Sequence, residues 1–253
     1  MFFREYDLNK ERALGVRKDP FAHQRKALAE LQQWLGSAPK SDAGGIVVLP
    51  TGGGKTFTAI RFLCAVVLSQ GYKVLWLAHT HHLLEQAFGE FEKSVGKIAE
   101  SKRTLAIRVV SGTTGHYKVH EIKPTDDVVV ATLQTMTAAY ERSHPKLDEF
   151  LRSAKDGLCV VFDEAHHSPA PSYRKLIKQL RARQDKMLLI GLTATPTYAD
   201  PNKQGWLKEL FPQGIIHQSP VRELMADDIL AQPIFEKVAT DVTPEFDQRE
   251  YEK

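Results

Sequence analysis

The chain has 253 residues, of which 42% are hydrophobic, so it can bury a full core, and this length suits one large α/β domain better than two small ones. Its formal net charge of +3 is too small to indicate a nucleic-acid partner through bulk electrostatics. The longest apolar stretch, Phe62 to Leu68, is too short to span a bilayer, and the first residues are too charged for a signal peptide. We therefore expect a cytoplasmic protein with no membrane partner.

One pattern of predicted elements covers most of the chain. Residues 1–20 are charged and are expected to form an irregular N-terminal extension. From Phe21 to about Leu192, apolar strands alternate with amphipathic helices, which is typical of an α/β fold with a doubly wound, mostly parallel sheet. We expect residues 21–233 to form this domain and the acidic segment 234–253 to lead out of it. Cys64 and Cys159 lie among apolar neighbours and are expected to be reduced core residues.

A glycine-rich loop follows the apolar strand Ile46–Val48 and precedes an apolar helix. Such a loop points several backbone N–H groups at a phosphate, and the helix adds the positive end of its dipole. The pattern therefore predicts a triphosphate site, in which Lys55 reaches the β- and γ-phosphates and Thr56 holds Mg²⁺. The predicted nucleotide-binding loop consists of Thr51, Gly52, Gly53, Gly54, Lys55 and Thr56. The full pattern has glycine where this chain has Leu49, and the alternative is an ordinary turn into a helix.

Two carboxylates mark the end of a second buried strand. The apolar strand Leu158–Phe162 runs straight into Asp163 and Glu164. Because the carboxyl ends of parallel strands meet at one edge of a sheet, we expect both residues to lie near the glycine loop. In P-loop enzymes the first carboxylate holds Mg²⁺ and the second orients and deprotonates the attacking water, and we assign Asp163 and Glu164 these roles. The alternative is a solvated turn between strand and loop.

Five motifs in order resemble the first motor domain of the superfamily 2 (DEAD/DEAH-box) helicases, which is a RecA-like P-loop domain. They are the glycine loop, the strand Lys73–Ala78 with Leu83-Leu84-Glu85-Gln86, Ala131-Thr132-Leu133-Gln134-Thr135, Asp163-Glu164-Ala165-His166, and Thr193-Ala194-Thr195-Pro196. The glycine loop and the pair His166-His167 are most similar to the branch of type III restriction enzyme helicase subunits. The resemblance covers about Phe21 to Pro233.

The resemblance assigns roles to residues around the nucleotide. Gln24 matches a glutamine that reads the edge of adenine, which implies ATP rather than GTP. His166 counts among the catalytic residues, and with the hydroxyls of Thr193 and Thr195 it matches residues that link the nucleotide site to the nucleic-acid groove. The alternative for these hydroxyls is local capping and turn bonding. Phe21 stands where family members often have arginine; we expect it in the core beside its amphipathic helix, with stacking on adenine as the alternative.

A further set of polar residues matches the nucleic-acid side of the family. In this family the strand is gripped mainly by its phosphates, through hydroxyls, amides and helix N-termini. The matching residues are Thr80, Gln86, Thr132, Gln134 and Thr135. Each alone could be a helix cap or an exposed polar residue, but together, at the ends of neighbouring strands, they are expected to line a groove. The resemblance favours DNA over RNA as the partner.

These observations predict the ATP-binding half of an ATP-dependent DNA helicase or translocase, with ATP and Mg²⁺ as cofactors. In superfamily 2 a second RecA-like domain supplies arginine fingers across the nucleotide cleft, and no such motif follows Pro196 here. The resemblance therefore implies a second motor domain missing from this chain and very weak hydrolysis by this domain alone. The alternatives are a nucleotide-gated binding module that does not move on its partner, and an RNA helicase.

Overall fold

A computed structural model describes residues 2–15, 18–38, 43–165, 171–195 and 208–232. The strands are β1 (Phe3–Asp7), β2 (Ala43–Val48), β3 (Lys73–Ala78), β4 (Thr104–Val110), β5 (Val128–Thr132), β6 (Leu158–Asp163), β7 (Met187–Thr193) and β8 (Ile215–Gln218). They form one sheet in the spatial order β1-β4-β5-β3-β6-β7-β2-β8. All neighbouring pairs are parallel except β1 with β4, which confirms the predicted α/β class with a mostly parallel sheet.

Helices cover both faces of this sheet. They are α1 (Leu8–Ala13), α2 (Ala22–Ser37), α3 (Lys55–Phe62), α4 (His81–Ser94), α5 (Leu133–Glu141), α6 (Pro145–Arg152), α7 (Pro171–Arg183) and α8 (Val221–Ala226). Side chains alternate between the faces along each strand, so that Trp76 of β3 belongs to the same core cluster as Ile60 of α3, while Leu75 belongs to the other cluster, with Phe150 of α6. The two faces thus carry two cores, as a doubly wound fold requires.

The N-terminal segment is not the irregular extension that we expected. Phe3–Asp7 forms β1, which pairs antiparallel with β4, and α1 follows directly. Tyr6 and Leu8 are fully buried in the core. The expectation was wrong because the pairing partner lies far along the chain, where no local pattern in the first residues could indicate it.

Two further observations concern the cysteines and the hydropathy of the helices. Cys64 and Cys159 are buried and free, and burial raises the pKa of both thiols. Among the described residues, no helix has both the length and the hydropathy that a membrane crossing requires.

The carboxyl ends of the parallel strands meet at one edge of the sheet. The glycine loop follows β2, the acidic pair lies at the end of β6, and β7 separates these two strands. The ends of β3 and β5, where the predicted nucleic-acid residues begin, lie at the same edge. The fold therefore brings motifs that are distant in sequence to one side of the molecule.

Candidate nucleotide-binding site

The glycine loop between β2 and α3 takes backbone conformations that favour glycine. Gly52 and Gly54 have φ angles of +84° and +83°, in the left-handed region. A Cβ atom on Gly54 would clash with Nε2 of Gln24. The N–H of Gly53 donates to the carbonyl of Pro50 at 2.9 Å, which closes the turn. The loop thus ends at the first residue of α3, so the backbone N–H groups of the helix N-terminus face the same space.

Two side chains from the start of α2 hold this loop in place. Nε2 of His23 lies 2.9 Å from the carbonyl oxygen of Gly53, and Nε2 of Gln24 donates to the same oxygen at 3.2 Å. Oε1 of Gln24 accepts the N–H of Phe21 at 3.0 Å, so these bonds leave one N–H and one lone pair of the amide unused, although Gln24 is only 3% exposed. Sequence reasoning missed His23, whose only signal is its place next to Gln24.

Phe21 is not a core residue, contrary to expectation. It is 47% exposed, and its ring stacks on the ring of His23 with centroids 6.1 Å apart and an interplanar angle of 10°. Phe21 is the N-cap residue of α2, so it lies just outside the helical turns whose apolar stripe is buried. Its exposed ring lies beside Gln24, where the alternative role in stacking on adenine remains a prediction.

Asp163 ends β6 inside the protein, at 2% exposure. Its Oδ1 accepts the N–H of Glu164 at 3.1 Å, while Oδ2 has no hydrogen-bond partner among the described residues. Burial, reinforced by the negative charge of Glu164, raises the pKa of Asp163 to about 6, although the charge of Lys55 acts in the opposite direction. The site therefore holds a carboxylate that a cation would stabilise.

Glu164 has a strained backbone and faces the lysine of the glycine loop. Its φ of +57° lies in the left-handed region, which residues other than glycine rarely adopt. Oε1 of Glu164 lies 3.8 Å from Nζ of Lys55, and the two side chains are 26% and 10% exposed. Strain of this kind costs roughly 1–3 kcal/mol and persists only where the surrounding structure imposes it. The fold thus brings the predicted catalytic lysine and carboxylates together from separate strands.

A cavity of about 350 Å³ connects these groups. One side consists of residues that the sequence predicted, namely Thr51, Gly52, Gly54, Lys55, Thr56, Asp163 and Glu164. The other side includes Leu83, Gln86 and Glu90 of α4, together with Lys18. Leu83, Glu90 and Lys18 were not predicted as site residues, because only folding brings them to the loop. Gln86, which we expected in the nucleic-acid groove, also lines this cavity, and its contact with nucleic acid remains a prediction.

A larger cavity, of about 590 Å³, lies at the opposite edge of the sheet. Its lining includes Gly157 and Lys186, which directly precede β6 and β7. None of the predicted site residues lines it, so its size does not make it the better candidate.

The two predicted coupling threonines lie at and just beyond the end of β7 and bond to each other. Oγ1 of Thr193 donates to the carbonyl of Thr195 at 3.0 Å and accepts its N–H at 3.2 Å, which is local turn bonding, the alternative to a coupling role. The N–H of Leu49 donates to the carbonyl of Thr193 at 3.1 Å and ties this turn to the entry of the glycine loop. His166 lies outside the described residues, and its catalytic role stays a prediction.

The remaining predicted nucleic-acid residues lie at helix starts. Thr80 is exposed and caps α4 by accepting the N–H of Leu83 at 3.4 Å. Thr132 is buried and caps α5 by accepting the N–H of Thr135 at 3.3 Å, while its hydroxyl donates to that of Thr135 at 2.7 Å. Gln134 is exposed. Capping is therefore observed for two of these residues, and contact with nucleic acid remains a prediction for all of them.

Residues 17–198 match the family described as the res subunit of type III restriction enzymes. This chain belongs to that family. The match covers more than half of the chain and includes the glycine loop, the acidic pair and the two coupling threonines. The res-subunit assignment confirms the predicted RecA-like ATPase domain of superfamily 2 helicases.

Individual relatives of this res-subunit domain are also described as helicases. It is 30% identical over 169 residues to a proposed ATP-dependent RNA helicase of Methanocaldococcus jannaschii, which covers 66% of this chain and 20% of the relative. A proposed ATP-dependent DNA helicase of Schizosaccharomyces pombe is 28% identical over 158 residues, which is 60% of this chain and 18% of the relative. The crystal structure of the Pyrococcus furiosus Hef helicase domain is 26% identical, with a TM-score of 0.57 over 81% of this chain and 39% of that chain. The chain spans about a fifth of the length of the two curated relatives.

Proposed function

We propose that this chain is the ATP-binding half of a helicase or translocase that hydrolyses ATP to move on DNA. The observation that carries this proposal is the cleft in which Nζ of Lys55 lies 3.8 Å from Oε1 of Glu164, with Asp163 adjacent. A triphosphate on the glycine loop would have its terminal phosphate between the lysine and the acidic pair. That is the arrangement that phosphoryl transfer to water requires.

Each side chain in this cleft has a proposed task. Lys55 binds the β- and γ-phosphates, assisted by the N–H groups of the loop and of the α3 N-terminus. Glu164 orients the attacking water and accepts its proton, and its partial exposure leaves room for that water. At the other end, Gln24 would read the adenine edge with the N–H and lone pair it has left, and Phe21 would stack on the base.

Asp163 and Thr56 fit a magnesium ion. Mg²⁺ prefers oxygen ligands and is usually held by one or two side chains together with phosphates of the substrate. Oδ2 of Asp163 is buried without a hydrogen-bond partner among the described residues, and Thr56 lines the same cavity. When bound, the ion would neutralise charge on the β- and γ-phosphate oxygens.

We propose a nucleic-acid path along the same edge of the sheet, with Thr80, Thr132, Gln134 and Thr135 contacting phosphates. Such contacts give little sequence preference and weaken as the salt concentration rises. The restriction-enzyme family and the S. pombe relative support DNA as the polymer. The M. jannaschii relative is described as an RNA helicase, so RNA is the alternative.

We propose that a second RecA-like domain completes the ATP site. Within the described lining of the cavity the cations are Lys18 and Lys55, and there is no arginine. Related motors take an arginine finger from another domain, and the curated relatives are about five times as long as the region they share with this chain.

The ATPase rate of the full-length protein, measured without polymer, with single-stranded DNA and with RNA, tests the proposal. We expect DNA to stimulate ATP hydrolysis by the wild type, and we expect no hydrolysis by the Lys55→Ala variant. Stimulation by RNA alone would make the protein an RNA helicase. Hydrolysis that neither polymer changes would favour a nucleotide-gated binding module instead.

A further inference from the structure

The α4 side of the nucleotide cavity carries polar groups that the proposed function does not use. Leu83, Gln86 and Glu90 follow one another at spacings of three and four residues, so they lie on one face of the helix, and all three line the cavity. Gln86 is exposed, whereas the side chain of Glu90 is only 15% exposed. The lining that includes the glycine loop therefore also includes a largely buried carboxylate on α4.

The two oxygens of this carboxylate have different surroundings. Oε2 of Glu90 accepts a hydrogen bond from Nζ of Lys93 at 3.2 Å, which fixes the orientation of the group. Oε1 is buried and has no hydrogen-bond partner among the described residues. Because an unpaired buried acceptor is unfavourable, a hydrogen-bond donor is expected to approach this oxygen when the cavity is filled.

Electrostatics decides which part of a nucleotide that donor belongs to. Asp163 and Glu164 can lie beside phosphates because Lys55 and the proposed magnesium ion offset their charge. Glu90 bonds instead to Lys93, away from the glycine loop, so we expect it to face a neutral part of the nucleotide.

The adenine edge is already assigned to Gln24, at the start of α2. Lys18 connects the positions of the adenine and the phosphates, because its Nζ lies 5.8 Å from the ring centroid of Phe21 and 5.3 Å from that of Phe57, and both Lys18 and Phe57 line the cavity. The carbonyl of Lys18 accepts a hydrogen bond at 2.7 Å from Arg61, whose pKa is lowered by burial, while the charge of the nearby Glu90 acts in the opposite direction. Glu90 lines the same cavity and lies near Arg61, so the sugar, which joins the base to the phosphates, is the part of the nucleotide expected beside it.

We propose that Glu90 accepts a hydrogen bond from a ribose hydroxyl of the bound nucleotide and thereby selects ribonucleotides over deoxyribonucleotides. This inference rests on the proposed function, because it requires ATP on the glycine loop. Gln86, one helical turn earlier, presents an amide to the same wall of the cavity. A carboxylate and an amide on adjacent turns can together bind two neighbouring hydroxyls.

A structural role is the rival explanation for Glu90. Arg61 is 4% exposed, its Nε has no hydrogen-bond partner among the described residues, and Glu90 compensates part of its charge. If this compensation were the whole role of Glu90, its removal would lower the melting temperature and weaken all nucleotides equally. Selectivity between sugars is the quantity that separates the two roles.

The test is calorimetric titration of the 253-residue protein with ATP, 2′-deoxy-ATP and 3′-deoxy-ATP, each with Mg²⁺. We expect the wild type to bind ATP roughly tenfold more tightly than at least one deoxy form, the scale of one hydrogen bond to a charged acceptor. Glu90→Ala should lose this preference, because it weakens ATP and any analogue that keeps the contacted hydroxyl, but not the analogue that lacks it. Glu90→Gln keeps a neutral acceptor and should retain a preference of about threefold. This variant still tests the proposal if the alanine variant fails to fold.

Glu92→Ala is the matched control, because Glu92 lies on the same helix but bonds to Arg4 instead of lining the cavity. An unchanged ratio between ATP and the deoxy forms in both Glu90 variants would overturn the inference while leaving the proposed function intact. A wild type without sugar preference would overturn it as well. If the wild type bound none of the three nucleotides, the proposed function would fail together with the inference.

Discussion

The buried carboxylate of Asp163 suits a metal site but lowers the stability of the metal-free domain. Its pKa rises from 3.8 to about 6, first because of burial and then because of the charge of Glu164. The folded protein therefore binds a proton at this residue more tightly than the unfolded chain does. Stability accordingly increases as the pH falls through about 6 towards 4, and the ionised carboxylate destabilises the metal-free domain above that range.

We predict that Asp163→Asn stabilises the metal-free domain by about 2 kcal/mol at pH 8 and that this gain disappears near pH 4. Urea unfolding in the presence of a chelator at both pH values measures it. Asp126→Asn is a control of opposite sign, because Asp126 pairs with the buried Arg108 at 2.7 Å and its loss should destabilise the protein by about 3 kcal/mol or more. A gain for Asp163→Asn that does not depend on pH would show that burial of the charged carboxylate is not its cause.

Glu164 carries the proposed proton transfer, and its amide analogue tests that role. In the full-length protein we expect Glu164→Gln to keep ATP affinity while hydrolysis falls by at least about a hundredfold, because the amide preserves the shape but cannot accept a proton. Single-turnover ATPase measurements and nucleotide titration separate the two effects. If affinity fell together with the rate, Glu164 would be better described as a residue that binds the metal or holds the loop.

Apolar runs in the sequence predicted the buried strands well, because such strands are defined by local sequence. The bounds of β3 were predicted as Lys73–Ala78 and are found there, because an apolar run between polar residues is enough to define a buried parallel strand. The position of Asp163 at the end of β6 followed from the same kind of signal. Phe21 was placed wrongly because apolar character alone does not distinguish the N-cap of a helix from its buried face. Lys18 and Glu90 could not be predicted, because their place in the cavity depends on packing between distant segments.

Strand β1 is the clearest element that local sequence did not predict, and Tyr6 tests its importance. The side chain of Tyr6 is 1% exposed, and its hydroxyl is buried without a hydrogen-bond partner among the described residues. We predict that Tyr6→Ala destabilises the domain by about 3–5 kcal/mol, since it opens a cavity under β1.

Tyr6→Phe is the matched variant, which keeps the ring and removes the unpaired hydroxyl, and it should be neutral or slightly stabilising. Chemical unfolding of both variants measures these effects. A loss of stability below about 1 kcal/mol in Tyr6→Ala would mean that β1 is a dispensable attachment to the sheet.

In the molecule as a whole, the described lining of the nucleotide cavity contains the cations Lys18 and Lys55 but no arginine, and we expect an arginine to approach the terminal phosphate from the side opposite Lys55. An arginine finger on that side is worth about a thousandfold or more in rate in related phosphoryl-transfer enzymes. Unwinding additionally requires two domains that close and open with each ATP. We predict that the 253-residue chain binds Mg·ATP weakly, hydrolyses it very slowly and separates no strands. Robust DNA-stimulated turnover in a steady-state assay of this chain at low concentration would show that an arginine within it, or another copy of it, completes the site.

The glycine loop and the acidic pair are proposed to form an ATP site, and titration of this chain with Mg·ATP tests this claim in a single measurement. We predict measurable binding by the wild type and at least about a tenfold loss of affinity in Lys55→Ala, because that variant removes the cation that reaches the β- and γ-phosphates. Lys97→Ala, an exposed change elsewhere that leaves the cavity lining intact, should bind as the wild type does. Equal affinities for the wild type and Lys55→Ala would contradict the claim.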